Sequence, residues 1–308
     1  MIERNWDVII IGGGPAGLSA AIYCGRALRK TMVLEKRVFG GQIVLADIIE
    51  NYPGFADPQV PAELLNQFSL QAQKYGAFLE NDEVLGIRRE DSRWIVEVYG
   101  GGYSAKAVIF ATGSDHRLLN VPGEQELLGR GISVCATCDA PFFVNRRVAV
   151  LGGGDTALVE ALYLTKFASE VTVVHRRDTL RAEKILQERA FKSEKIRFIW
   201  NMEVIQFNGR EKLESIVLQD KKNLRVETAS LDGVFLAIGT RPNTDLIKDL
   251  VTLDPNGYVL TDISLRTDSV GFFVAGEVIR GNRRQVAISA GMGVQAALNC
   301  EEYLEQLE

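Results

Sequence analysis

Residues 133–141 read SVCATCDAP. Two cysteines three positions apart can exchange two electrons, closing to a disulfide and opening to two thiols. Opening the disulfide requires protons on sulfur. Asp139, directly after Cys138, stands where a general acid could supply one. An Asp at such a position also serves as a helix N-cap, and the two uses are compatible. Zinc is the competing chemistry for Cys135 and Cys138, but a structural zinc site needs four ligands. The other cysteines, Cys24 and Cys300, are isolated, and the only histidines are His116 and His175. None of them forms a second ligand pair, so no metal is expected. Cys24 and Cys300 fall in apolar helical patterns and read as buried small hydrophobes.

The chain has 308 residues, enough for about two domains, and its 46% hydrophobic content allows a sizeable core. A net charge of −5 with no basic block argues against nucleic-acid or anionic-membrane partners. The apolar run near the N-terminus is short and leads straight into glycines. It has no basic segment before it and no small-residue cleavage site after it. No stretch approaches the ~20 apolar residues of a membrane helix. The expected location is the cytoplasm, where a close cysteine pair is more often catalytic or metal-binding than a structural staple.

The elements that must position the pair are written twice. Residues 7–26 read DVIIIGGGPAGLSAAIYCGR and residues 148–167 read VAVLGGGDTALVEALYLTKF. Each is a β-branched apolar run, a glycine turn and a helical pattern, the context in which G-x-G-x-x-G is meaningful. Gly12, Gly14 and Gly17 fill the first fingerprint; Gly152, Gly154 and Ala157 fill the second. The first position allows a tight turn, the second admits a pyrophosphate and the third lets helix and strand pack closely. The helix N-terminus then offers unpaired N–H groups to phosphate. VIFATGSDHR (108–117) and VFLAIGTRPN (234–243) each read as the strand closing one such unit. The expected fold is α/β: two Rossmann-like three-layer dinucleotide-binding domains, the second inserted into the first. Residues 1–113 and 244–308 form the first, and residues 114–243 form the second, which carries the cysteine pair. Two crossing strands near 113–117 and 241–245 would be the hinge.

Spacing separates the two nucleotides. An acid about 20 residues after the fingerprint usually holds the adenosine ribose. In the first unit that residue is Glu35; in the second the place is taken by His175, followed by Arg176, Arg177 and then Arg181. Guanidinium groups bind a 2′-phosphate that a carboxylate would repel. The first unit therefore suits FAD or NAD and the second NADP(H). A disulfide is a poor hydride acceptor, whereas a flavin can take a hydride and then reduce a disulfide. The pattern reads as a relay from NADPH through a flavin and the cysteine pair to an external acceptor.

These stretches resemble one family over essentially the whole chain, the small bacterial-type thioredoxin reductases of the class II pyridine nucleotide-disulfide oxidoreductases. The motifs are GGGPAG, GGQI, ENYPGF, ATG, CATCD, GGGDTA, HRRDTLRA, AIGTRPNT and RQVAISAG. CATCD just before the second fingerprint is the most specific of them. The resemblance implies FAD on Gly12, Gly14, Pro15, Ala16, Gly17, Glu35, Lys36, Gly40, Gly41, Gln42, Asn51, Val84, Ala111, Thr112 and Gly113. It adds Gly276, Glu277, Arg284, Gln285 and Val286 from the C-terminal segment. It implies NADPH on Gly152, Gly153, Gly154, Asp155, Thr156, His175, Arg176, Arg177, Arg181, Ile238 and Gly239. It implies that Cys138 faces the flavin, that Cys135 attacks thioredoxin's disulfide, that Asp139 supplies a proton, and that the enzyme is a homodimer. Phe142 and Phe143 then offer an apolar landing for the partner, with core packing an equal use for either. Glu277 stands where the family usually has Asp, Ala140 where a glycine is frequent, and Met292 is a smaller departure.

Other readings keep parts of this. The same fold could reduce a different disulfide partner, or oxidise a dithiol with oxygen. A ferredoxin or flavodoxin reductase of this fold would carry no active cysteine pair, and a non-catalytic nucleotide-binding scaffold would need neither the pair nor both fingerprints.

Overall fold

A computed structural model describes residues 5–45, 48–282 and 285–308, with the backbone alone at Leu45 and Cys138. The chain forms two compact units, residues 1–115 with 241–308, and residues 116–240.

The first unit opens with β1 (Asn5–Ile11), α1 (Pro15–Arg26) and β2 (Thr31–Leu34), followed by α2 (Pro61–Lys74) and β3 (Phe78–Glu80). A meander of β4 (Val84–Glu90), β5 (Arg93–Val98) and β6 (Gly101–Phe110) comes next, then a short β7 (Ser114–His116). β3, β2, β1 and β6 lie side by side and parallel, while β5 and β4 extend the sheet antiparallel. The continuous apolar run Val8–Ile11 is what a parallel strand covered on both faces requires. Successive side chains point to opposite faces. Ile9, Ile11, Val108 and Phe110 therefore pack on one side of the sheet, and Val8, Ile10, Ala107 and Ile109 pack on the other with Ala20 and Ala21 of α1.

The second unit contains α3 (Glu124–Leu127), β8 (Ile132–Ser133) and α4 (Ala136–Asp139), then β9 (Arg147–Leu151), α5 (Asp155–Leu164), β10 (Glu170–His175), α6 (Lys184–Lys192) and β11 (Ile196–Trp200). An antiparallel meander of β12 (Met202–Gly209), β13 (Leu213–Asp220) and β14 (Val226–Ser230) leads to β15 (Gly233–Leu236). Its parallel sheet runs β11-β10-β9-β15-β8. The plan of the first unit recurs with one change: fingerprint strand, helix, parallel strands and an antiparallel meander follow in the same order, but β6 is both the last meander strand and the strand beside β1, whereas β14 and β15 are separate strands. β16 (Thr240–Pro242) pairs with β7, so the two crossing segments of the chain run side by side. β17 (Phe272–Val274) then joins β6, and α7 (Val286–Glu305) packs on α1. No helix among the described residues is long and apolar enough to cross a membrane.

The candidate cofactor turns and the cysteine turn

Both glycine turns are built by the same contacts. Gly12 N–H donates to the Leu34 carbonyl at the end of β2, and Gly152 N–H donates to the Val174 carbonyl near the end of β10. A Cβ on Gly12, at φ +107°, would lie 2.3 Å from the Ala111 carbonyl oxygen; one on Gly152, at φ +153°, would lie 2.4 Å from that of Ala237. Only glycine permits both the left-handed backbone and that approach. Gly17 is required for a different reason, because a Cβ there would fall 1.8 Å from the Gly12 carbonyl oxygen. In the second unit Ala157 fills that place and is fully buried, so this turn leaves room for one methyl group.

The middle glycines are where the protein leaves space. A Cβ on Gly14 would meet nothing closer than 4.0 Å, and one on Gly154 would meet nothing within 4 Å. Nothing in the protein excludes a side chain at either place, and each lies at the start of a helix whose first N–H groups are unpaired. An open cradle at a helix N-terminus is the shape that accepts a pyrophosphate. The residues present therefore fit a dinucleotide in each unit.

The surroundings of the two turns differ in charge. In the first, Glu35 at the end of β2 accepts hydrogen bonds from Gly13 N–H and Arg37 N–H, both at 2.8 Å. Its carboxylate is held beside the glycine turn, in place to meet ribose hydroxyls. Lys36 is exposed and weakly paired with Glu83 at 3.9 Å. In the second, His175 is buried and its ring packs where a Cβ on Gly153 would be, 2.5 Å away. Burial above all depresses the imidazole's affinity for a proton, so His175 backs the turn as a neutral ring. Arg176, Arg177 and Arg181 are exposed, and no carboxylate among the described residues lies within ion-pair distance of them. Arg181 is placed by its own backbone N–H, which donates to the Gly153 carbonyl at 2.7 Å. Asp155 points elsewhere, accepting from Glu183 N–H. Thr156 is exposed beside it, and Gly239 has open space at its Cβ position with φ +106°. Ile238 packs on the apolar core beneath.

The rim of the first turn gathers residues distant in sequence. Gly40 N–H donates to the Gly13 carbonyl at 2.7 Å, and a Cβ on Gly41 would lie 3.1 Å from the Gly14 Cα. Pro15 opens α1, with Ala16 buried behind it and 3.0 Å from a Cβ built on Gly276. Thr112 and Asn243 exchange two hydrogen bonds, from the Thr112 hydroxyl and from the Asn243 amide, and Gly113 accepts from Asn243 N–H. Gln42 donates to the Ser114 carbonyl and to Asp115, and the Ser114 hydroxyl donates to Glu277 Oε2. Asn51 donates to Gln285 at 2.8 Å, just before Val286 begins α7. Val84 stands apart, packed in the core opposite Val98. Arg284 lies outside the described residues.

The cysteine turn is a capped one. Ser133 Oγ accepts from Cys135 N–H at 3.0 Å, and α4 begins with Ala136. Cys135 is disulfide-bonded and partly exposed. The side chain of Cys138 is outside the described residues. Asp139 N–H closes the turn on the Cys135 carbonyl. Asp139 occupies the N-cap position of the following single turn, Ala140–Phe143, but its carboxylate makes no capping bond. The adjacent phenylalanines separate cleanly. Phe143 packs on Phe235 with ring centroids 5.4 Å apart, while Phe142 is 80% exposed. Cys24 and Cys300 are both buried free thiols; their mutual hydrogen bond, with burial, holds the Cys300 thiol protonated.

Residues that the motifs did not single out complete these sites: Ser114 on Glu277, Asn243 on Thr112, and Ser133 on Cys135. Each acts through long-range or local hydrogen bonds that no spacing rule encodes.

Comparison with known proteins agrees with this geometry. The family model described as pyridine nucleotide-disulphide oxidoreductase matches residues 6–293. A thioredoxin reductase of Streptomyces coelicolor is 44% identical over 98% of this chain and 94% of its own length. One from Treponema pallidum is 43% identical over the full length of both. Among solved structures, the thioredoxin reductase of Lactococcus lactis superposes with a TM-score of 0.95 at 39% identity, covering 98% of this chain and 99% of that one. That of T. acidophilum gives a TM-score of 0.92 at 34% identity, covering 99% and 100%. With two dinucleotide-shaped turns, a cysteine turn beside the second and a match over nearly its whole length, the chain belongs to the pyridine nucleotide-disulphide oxidoreductase family.

Proposed function

We propose that the protein is an NADPH-dependent flavoprotein that reduces the disulfide of thioredoxin, working as a homodimer in the cytoplasm. The observation that carries this reading is the disulfide-bonded Cys135, on a capped turn in the same unit as an unneutralised arginine cluster. Relatives 41–44% identical over nearly the whole chain are thioredoxin reductases, which favours thioredoxin over other acceptors.

The residues divide the work as follows. Gly14, Gly41 and the start of α1 would hold the FAD pyrophosphate, and Glu35 would accept from its ribose hydroxyls. Gly154 and the start of α5 would do the same for NADPH, with Arg176, Arg177 and Arg181 around the 2′-phosphate. The chemistry these groups would supply when bound is hydride donation by NADPH and, through FAD, two-electron reduction of the disulfide. Once the pair is reduced, the Cys135 thiolate attacks the partner's disulfide, forming a mixed disulfide and releasing one partner thiolate. Cys138 then attacks Cys135 sulfur, which restores the internal disulfide and frees the second thiolate. Asp139, which spends no hydrogen bond on capping, is available to protonate a leaving sulfur. The test is NADPH oxidation by the purified protein with thioredoxin disulfide as acceptor. Activity that needs thioredoxin supports the reading, and equal activity with oxygen, ferredoxin or glutathione disulfide alone removes it.

Phe142 belongs to the partner's side of this scheme. A phenylalanine this exposed, seven residues past Cys135, is apolar surface that a docking protein would bury. Phe142→Ala is expected to raise the KM for thioredoxin about five- to tenfold, the equivalent of ~1–1.4 kcal/mol. Its rate of flavin reduction by NADPH should be unchanged, and an unaltered KM would place docking elsewhere.

Glu277 tests the flavin site. Its carboxylate already accepts from Ser114, and that bond takes up the reach of the extra methylene relative to the family's Asp. Glu277→Ala leaves Ser114 and a flavin hydroxyl without an acceptor, a loss of ~1–3 kcal/mol. The flavin-to-protein ratio after dilution should fall accordingly, while Glu277→Asp keeps FAD. Retention of FAD by the alanine protein at the parent level would show that Glu277 is no flavin ligand.

A further inference from the structure

The stretch VIFATGSDHR ends in an arginine that the proposed chemistry does not use. Arg117 is exposed and lies at the very start of the second unit. Its backbone N–H donates to the Gly239 carbonyl at 2.9 Å, and its Nε donates to the Thr240 carbonyl at 2.6 Å. Its two terminal amines, Nη1 and Nη2, have no hydrogen-bond or ion-pair partner among the described residues. The loop that follows is fixed as well. Glu124 is fully buried and accepts from Leu119 N–H at 2.7 Å and from Asn120 N–H. Phe207 N–H of β12 donates to the Pro122 carbonyl at 2.9 Å and moors the same loop to the meander. A long side chain loses rotamer freedom when it grips an anion, and the fold already takes part of that loss at Arg117.

The sheet says which anion this guanidinium can meet. In the order β10-β9-β15, the Gly152 turn at the end of β9 stands between the ends of β10 and β15. Arg176, Arg177 and Arg181, which mark the adenosine end, follow β10. Ala237 follows β15 directly, and its carbonyl oxygen is the atom that a Cβ on Gly152 would meet at 2.4 Å. Gly239 comes two residues later, so it lies within ~8 Å of Ala237 along the chain. A Cβ on Gly239 would meet nothing within 4 Å, so the space beside it is open. A dinucleotide that begins at β10 and crosses the Gly152 turn therefore continues toward β15, the side on which Arg117 is held.

We propose that Arg117 is a further nucleotide-binding residue, whose terminal amines hold the pyrophosphate at its nicotinamide side. The inference rests on the reading of the second unit as the NADPH site. A planar guanidinium with two amines unpaired matches a pair of phosphate oxygens. Arg117 differs from the arginines after β10 in what it reads. The pyrophosphate is common to NADPH and NADH, so Arg117 adds affinity for both and chooses neither.

The experiment titrates the oxidised full-length flavoprotein with NADP+, NAD+ and adenosine 2′,5′-bisphosphate by calorimetry, without turnover. NADP+ binding to the wild type is measured first; its absence removes the NADPH reading and this inference with it. Given that binding, Arg117→Gln is expected to weaken NADP+ and NAD+ about tenfold each, the scale of one charge-assisted contact. Adenosine 2′,5′-bisphosphate lacks the second phosphate, and its affinity should be unchanged. NADP+ binding should also depend less steeply on salt, since one charge pair is gone. An unchanged NADP+ affinity overturns the proposal. An equal loss with the bisphosphate, or a loss that keeps the wild-type salt dependence, overturns it too, because a loosened Gly239 turn gives those results. The wild type offers a second measurement that needs no variant. Phenylglyoxal modification of Arg117, followed by peptide mass spectrometry, should be blocked by NADP+ and proceed with the bisphosphate bound. Equal modification with both ligands overturns the proposal.

Discussion

Cys135→Ser and Cys138→Ser proteins are each expected to bind FAD, to have it reduced by NADPH, and to lose thioredoxin reduction by ~10³-fold or more. The size of the effect follows from the chemistry. A serine oxygen cannot form the internal disulfide, so neither single variant can accept the electron pair and pass it on as a dithiol. The turn itself should survive the change at 135, because Ser133 holds the Cys135 backbone N–H and not its sulfur. The glycine turns at Gly12 and Gly152 do not involve these side chains, so flavin content and the first reduction step are unaffected. The two variants should differ optically. With Cys138 as the cysteine proposed to face the flavin, Cys135→Ser should show a long-wavelength charge-transfer band when the Cys138 thiol ionises, while Cys138→Ser should not. Thioredoxin reduction near the parent rate by either protein would sink the relay.

The fold was legible where one residue type is physically compulsory. Gly12, Gly17 and Gly152 each stand where a Cβ would collide with backbone, and the apolar runs before them are strands covered on both faces. Those constraints are local, so a periodic reading of the chain reaches them and yields two Rossmann-like units. The three-stranded meanders were not legible in the same way. In β14, VETAS, no residue is fully buried, so the strand carries no hydrophobic alternation to read.

The site shows the same division. Cys135, Glu35 and the arginines declare themselves by type and spacing. His175 was grouped with the arginines by spacing alone, yet its ring turns inward onto Gly153 while theirs stay in solvent. Spacing fixes where a strand ends and does not fix which way the last side chain points. The contacts Ser114–Glu277, Asn51–Gln285 and Thr112–Asn243 span 163, 234 and 131 positions, and only the folded chain brings them together.

The arginine cluster carries the second large expectation. Arg176→Ala with Arg177→Ala should raise the KM for NADPH by ~10²-fold or more while changing NADH use little. Each charge-assisted hydrogen bond to a phosphate contributes ~1.5–3 kcal/mol, roughly ten- to a hundredfold per residue. The two glycine turns show why the discrimination belongs to these side chains. Their backbone geometry is nearly the same, with Gly12 and Gly152 making matching approaches of 2.3 and 2.4 Å to a carbonyl oxygen. What differs is the residue at the end of the second strand. Glu35 brings a carboxylate to its turn, whereas His175 brings a neutral ring and leaves the space beside it to exposed guanidinium groups with no carboxylate paired to them. Solvent screening weakens such charges, so the preference for NADPH should shrink as ionic strength rises. Arg181, anchored through its backbone to Gly153, should preserve part of the preference in the double variant and lose it in the triple one. Equal losses with NADH and NADPH would mean that these arginines support the turn and do not read the 2′-phosphate.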